Sequence, residues 1–278
     1  MNVRLLIIAL AVAGGVCLAV KSAEAQHFDV FVGRPIVGTQ TVYGGIDVDN
    51  ADIMLGNQVF ESELGEDPFD GIFLSDEPGF NHPADDSVLP AGAASLNDGD
   101  EIFVSALPIT VDGMTDSTFY WNGLGSVAFA PAFGTSFVID TGNLTGSIGT
   151  AGVGGGFDDH PFFVLDDGDG MPGTFPTPGI YLASFQGRVT DLDPTDPLFL
   201  VMGTEGLITA DFLGITQDEF DLFTDDELDE ALDGVIDSGM DYVERNIVVP
   251  EPSSLALLGL AICSAGVIVS RRRLLSYV

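Results

Sequence analysis

GIYLASFQGRV (residues 179–189) and DPLFLVMG (196–203) set the fold class of this chain. Each is a short apolar run bounded by Gly, Pro or Asp. In the first, Ile180, Leu182 and Phe185 alternate with one slip, the period-two signature of a half-buried strand. The same punctuation recurs upstream in HFDVFVG (27–33), DGIFLSDEPG (70–79), EIFVSALPITVDG (101–113), GSVAFAPAFG (125–134), TSFVIDTG (135–142) and HPFFVLDDGDG (160–170). In the first of these, Phe28, Val30 and Val32 alternate as well. Turn residues recur about every 10–15 positions and no helical period lies between them, so the pattern predicts a mainly β protein, an antiparallel β-sandwich over residues 26–210.

Residues 215–246 break this rhythm. Thr216-x-x-Glu219 and Thr224-x-x-Glu227 are two capping-box patterns, and Leu228, Ala231, Leu232, Val235, Ile236 and Val243 follow helical spacing. An acidic helical segment is therefore expected over 211–247, a short helix and then a longer one, with its apolar face on the sandwich. The stretch TGNLTGSIGTAGVGGG (141–156) reads as a mobile Gly/Ser/Thr-rich loop; it contains neither G-x-G-x-x-G nor a Gly-Lys-Ser/Thr phosphate loop.

The N-terminal 25 residues have Arg4 in a basic start, an apolar stretch from Leu5 to Val20 and the small-x-small triplet Ala23-Glu24-Ala25. This is the pattern of a secretory signal peptide cleaved after Ala25. Of the eight basic residues, Arg4, Lys21, Arg271, Arg272 and Arg273 lie towards the two ends, leaving Arg34, Arg188 and Arg245 in residues 26–250. Only Glu24 and Glu251 of the 43 acidic residues lie outside that body, whose net charge is near −38. A field of that sign repels nucleic acid and anionic membrane surfaces and favours cations. With 46% hydrophobic residues and 20 Phe the chain still has the material for a core, which argues against disorder. Both cysteines, Cys17 and Cys263, fall outside the body, so no disulfide is expected within it.

Catalytic signatures are absent: there is no G-x-S-x-G, no His-Glu-x-x-His and no cysteine in the body. A non-enzymatic protein is expected, with a carbohydrate-active enzyme as the distant alternative. Each of the three histidines has carboxylates beside it: His27 near Asp29, His82 before Asp85 and Asp86, and His160 after Asp158 and Asp159. Imidazole with carboxylates suits zinc, copper or a related divalent ion, so the candidate metal ligands are His27, His82, His160, Asp158 and Asp159. The competing reading is that these are surface or hydrogen-bonded loop histidines.

Calcium is the other cation option, through the Asp-rich stretches 47–52, 166–170 and 191–196. None fits an EF-hand loop, and Asx-rich turns between strands account for them better. Trp121 and the many Phe residues are assigned to the core rather than to sugar stacking.

At the other end, VVPEPSSLALLGLAICSAGVIVSRRR (248–273) combines Pro250-Glu251-Pro252, an apolar run from Leu255 to Val269 and Arg271, Arg272 and Arg273. The run would make a helix of about 22 Å, short for a bilayer core of about 30 Å but able to span by local thinning. A single C-terminal transmembrane helix is therefore expected within 248–278, with the arginines on the cytoplasmic side. This order of features resembles the PEP-CTERM sorting signal of bacterial exported proteins. The resemblance implies recognition by a membrane-embedded exosortase, cleavage near Pro250-Glu251-Pro252 and delivery to the cell envelope, surface or an extracellular polysaccharide matrix. The order of pieces in the body is also similar to that in PEP-CTERM proteins of environmental bacteria, including a zinc-regulated group. These pieces are a histidine-bearing start, Pro178-Gly179-Ile180-Tyr181-Leu182, the 196–202 segment and an acidic helix.

Overall fold

The computed structural model describes residues 28–47, 52–67, 69–142, 144–168 and 174–248. Residues 1–27, with the expected signal peptide and His27, and residues 249–278, with the expected transmembrane helix, lie outside them. Among the described residues no helix is long and apolar enough to cross a membrane.

In chain order the strands are β1 (Phe28–Pro35), β2 (Val42–Asp47), β3 (Asp52–Leu55), β4 (Val59–Asp67), β5 (Ile72–Ser75) and β6 (Phe80–His82). They continue as β7 (Ala93–Ala94), β8 (Glu101–Leu107), β9 (Ile109–Val111), β10 (Met114–Asp116), β11 (Thr118–Trp121) and β12 (Ala130–Pro131). The last six are β13 (Ser136–Asp140), β14 (Ser147–Thr150), β15 (Phe157–Asp159), β16 (Phe162–Asp166), β17 (Ile180–Val189) and β18 (Leu198–Thr204). Three helices follow: α1 (Ala210–Leu213), α2 (Gln217–Phe220) and α3 (Asp225–Asn246).

The smaller sheet runs β15-β6-β1-β2-β3, with β7 paired to the end of β1. The larger runs β12-β11-β17-β18-β4-β5-β16-β13, and β8, with β14 beside it, extends the edge of β17 beyond β11. The two sheets face each other across an aromatic core. Val30, Val32 and Phe80 from the smaller sheet meet Phe60, Phe163, Tyr181 and Phe185 from the larger, and Phe80 sets its ring edge on Phe185 at 5.9 Å.

Pairing is not uniformly antiparallel, as the alternation suggested. β1 runs parallel to β6, and β4 parallel to β18. Parallel neighbours cannot be joined by a tight turn, and β4 and β18 are indeed separated by more than half of the body. The half-buried reading of the central strands is also corrected. Every residue of β18 is buried, as are the first six of β17, because α3 covers the face of the larger sheet that is turned away from the sandwich core. On that face Phe199, Val201, Ile180 and Leu182 pack with Leu232, Ile236 and Val243 of the helix. The slip in alternation at 180–185 thus marks a strand with two apolar faces.

Both capping boxes form: the Thr216 N–H donates to Glu219 Oε2 at 3.0 Å and the Thr224 N–H to Glu227 Oε2 at 2.9 Å. The short helix expected at the Thr216 capping box is α2, and the structure adds one more turn before it, α1, stopped by Gly214 with its φ of 67°. The segment expected to be a mobile loop contains β14, which pairs with β8. Trp121 is buried, its indole N–H donating to the Leu124 carbonyl at 3.2 Å.

Candidate functional site

Three adjacent strands, β1, β6 and β15, carry one polar cluster. Register places Phe31 beside Asn81 and Asn81 beside Asp158. Strand side chains alternate with period two, so Asp29, two residues before Phe31, shares their face, opposite the core-facing Val30, Phe80 and Phe157. His160 follows one residue after β15 ends. One ligand atom from each of Asp29, Asp158 and His160 lies within 4.8 Å of the others.

Asp29 and His160 are positioned by backbone groups. Asp29 is buried and its Oδ1 accepts the Gly79 N–H at 2.9 Å. His160 Nδ1 lies 3.0 Å from the Asp76 carbonyl oxygen, which can only accept, so the ring proton sits on Nδ1. Nε2 is left facing Asp158 Oδ1 at 3.5 Å. Glu77 stands at the rim, Oε1 being 3.9 Å from His160 Nδ1 and Oε2 accepting the same Gly79 N–H at 3.2 Å. The imidazole lies directly over Gly79: a Cβ there would stand 2.7 Å from Nε2 and 2.8 Å from Nδ1. No side chain fits in that space.

The electrostatics follow from burial in an acidic neighbourhood. Desolvation pushes the Asp29 carboxyl above its ordinary value, against the pull of His160 and the Gly79 N–H. Burial also raises Glu77, helped by the charge of Asp29. For His160, burial disfavours the charged ring, but the Asp76 carbonyl and the carboxylates of Asp29, Glu77 and Asp158 outweigh it and raise its pKa.

The structure unites Asp158 and His160 and leaves His82 and Asp159 out of the group. His82 is 1% exposed, stacked on Phe31 at 5.3 Å, with Nδ1 2.7 Å from the Val32 carbonyl. Its Nε2 is buried without a hydrogen-bond partner, and burial holds its pKa below the ordinary value. Asp159 caps the His160 N–H through Oδ1 at 3.0 Å and points its other oxygen at Gly149. The sequence reading placed Asp29 only beside His27 and did not count it among the ligands. The available signal was a carboxylate inside the apolar run Phe28 to Val32, which a strand can bury only at a site that needs it.

The Asp-rich 191–196 loop is engaged with protein donors. Thr39 Oγ1 donates to Asp193 at 2.6 Å, and Gln40 Nε2 to Asp196 at 3.0 Å. The 47–52 and 166–170 stretches fall partly outside the described residues.

The three arginines of the body are engaged as well. Arg34 pairs with Asp100 at 2.6 Å, Arg188 lies over the Phe103 ring at 4.2 Å, and Arg245 bonds Asp241 one helical turn away. No curated protein and no solved structure matches the chain, so no relative speaks for the body. A family model does match at the other end: residues 248–273 are a PEP-CTERM protein-sorting motif.

Proposed function

We propose that this chain is an exported, non-catalytic protein of the cell surface or extracellular matrix. Residues 1–25 direct export as a signal peptide. The apolar run 255–269 anchors the protein in the membrane until an exosortase cleaves near Pro250-Glu251-Pro252. The sorting motif at 248–273 carries this reading. The body agrees with it in three respects: no catalytic signature, a strongly negative charge, and Trp121 and many of the Phe residues packed in the core. Such a domain repels other anionic surfaces and concentrates cations around itself.

Mass spectrometry of the protein recovered outside the native host's cells tests the proposal. The expected species starts after Ala25 and lacks the residues beyond the Pro-Glu-Pro region. A variant with Arg271, Arg272 and Arg273 replaced by Gln is expected to accumulate unprocessed in the membrane fraction. Recovery of extracellular protein still ending at Val278 would overturn the reading.

A further inference from the structure

We propose that Asp29, Asp158 and His160 hold one divalent cation of the zinc class, with His160 Nε2 as its nitrogen ligand. This goes beyond the sorting role and does not depend on it. Three independent features of the molecule support it.

The first is the chemistry of the donor set. Two carboxylates and a neutral imidazole are ligands that zinc and its first-row neighbours accept, whereas calcium and magnesium take oxygen alone. Ligating histidines characteristically donate their other ring N–H to a carbonyl or carboxylate, which fixes the tautomer and aims the free nitrogen. His160 has this arrangement, with Nδ1 on the Asp76 carbonyl.

The second is spacing. Donors bound at about 2.1 Å in a tetrahedron stand about 3.4 Å apart. His160 Nε2 and Asp158 Oδ1 are 3.5 Å apart, and the three donors together lie within 4.8 Å. Asp158 is exposed at the strand edge, so rotation of its side chain closes the remaining distance. Asp29 is already held by the Gly79 N–H and the ring by the Asp76 carbonyl.

The third is charge. Asp29 is only 6% exposed, and a buried carboxylate needs a positive partner or must give up its charge. Each arginine of the body is engaged elsewhere, with Asp100, Phe103 or Asp241. Among the described residues the cationic candidate facing Asp29 is His160 itself, and a bound ion neutralises Asp29 and Asp158 together while leaving the ring neutral. A mere surface histidine would need neither the missing Cβ at Gly79 nor a buried carboxylate.

The test is isothermal titration calorimetry of the full-length chain with zinc chloride and, separately, calcium chloride, supported by the visible absorption of the cobalt-substituted protein. One zinc per chain is expected, with calcium at least tenfold weaker. Asp29 is buried and its replacement endangers folding, so Asp158→Asn and His160→Gln carry the argument. Each is expected to keep the wild-type circular dichroism and to weaken zinc at least about tenfold, with loss of the tetrahedral cobalt band. Absence of stoichiometric zinc, affinity unchanged in both variants, or calcium binding as tight as zinc would each overturn the proposal.

Discussion

Arg34 and Asp100 form a two-pronged ion pair, Nε to Oδ2 at 2.6 Å and Nη2 to Oδ1 at 2.7 Å, that ties the end of β1 to the start of β8. Asp100 is 7% exposed at its side chain and also accepts the Asn97 N–H at 2.7 Å. Burial alone would raise its pKa, but the guanidinium and that N–H hold it below the ordinary value. In a body with three arginines, one of them is thus used to join the two sheets.

Truncation of this pair leaves a mostly buried carboxylate without a counter-ion. Arg34→Ala is expected to cost about 3 kcal/mol in a denaturant titration. Arg34→Lys should recover only part of it, since an ammonium cannot reproduce the two-pronged geometry. A loss below about 1 kcal/mol for Arg34→Ala would place the pair among ordinary surface bridges.

α3 docks by fitting bulk against glycine. A Cβ on Gly203 of β18 would stand 2.7 Å from Ile236 Cδ1 and 2.9 Å from Leu232 Cδ1, and one on Gly239 would stand 3.0 Å from Val201 Cγ1. Gly203→Ala is expected to destabilise by about 1–3 kcal/mol through overpacking, and Ile236→Ala by about 2–5 kcal/mol through the cavity it leaves. In the double variant the two costs should be far from additive, because the new methyl enters the space the isoleucine vacates. Thermal melts of the four proteins measure this directly.

The pH dependence of stability carries a signature of His82. Its folded pKa lies below 6.5, the ordinary value, because the ring is buried and Nε2 has no partner to share a proton. As pH falls below 6.5 the unfolded chain takes up a proton that the folded chain refuses, so this residue's contribution is full above that value and is lost on acidification toward its folded pKa. The difference in unfolding free energy between wild type and His82→Leu should therefore change between pH 7 and pH 5, with wild type losing ground. A difference that stays flat across the window would show that His82 titrates as freely folded as unfolded.

Gly79 separates the geometry of the cluster from its charge. Gly79→Ala adds no charge and removes no ligand, yet its methyl would occupy the place of the imidazole ring. Zinc affinity is expected to fall about tenfold or more, as when a supporting group of a metal site is lost. Histidine NMR signals should show the His160 ring displaced while His82 stays in place.

Several of these features were legible in the amino-acid order. The capping boxes at Thr216 and Thr224 were readable because all their partners lie within one helical turn, where local geometry decides the contact. The β character of 28–204 was readable for the same reason, since period two and turn residues act over a few positions. Acidity, and the sorting motif at 248–273, are likewise properties of the linear chain.

Long-range placement was not legible. Nothing near Asp29 in sequence says that β6 and β15 will lie beside β1 and bring Asn81, Asp158 and His160 to it from 52 to 131 residues away. His82 and Asp159 read as equally good ligands in the sequence; the pleat turns Asp159 away from Asp158, and His82 is taken up by stacking on Phe31 with Nδ1 on the Val32 carbonyl. The sequence by itself determined strand, helix, charge and address, because each depends on residues close along the chain. The parallel pairings, the doubly buried β17 and β18, and the choice of Asp29 over Asp159 were decided only by tertiary structure, where register and burial act between residues that the chain keeps far apart.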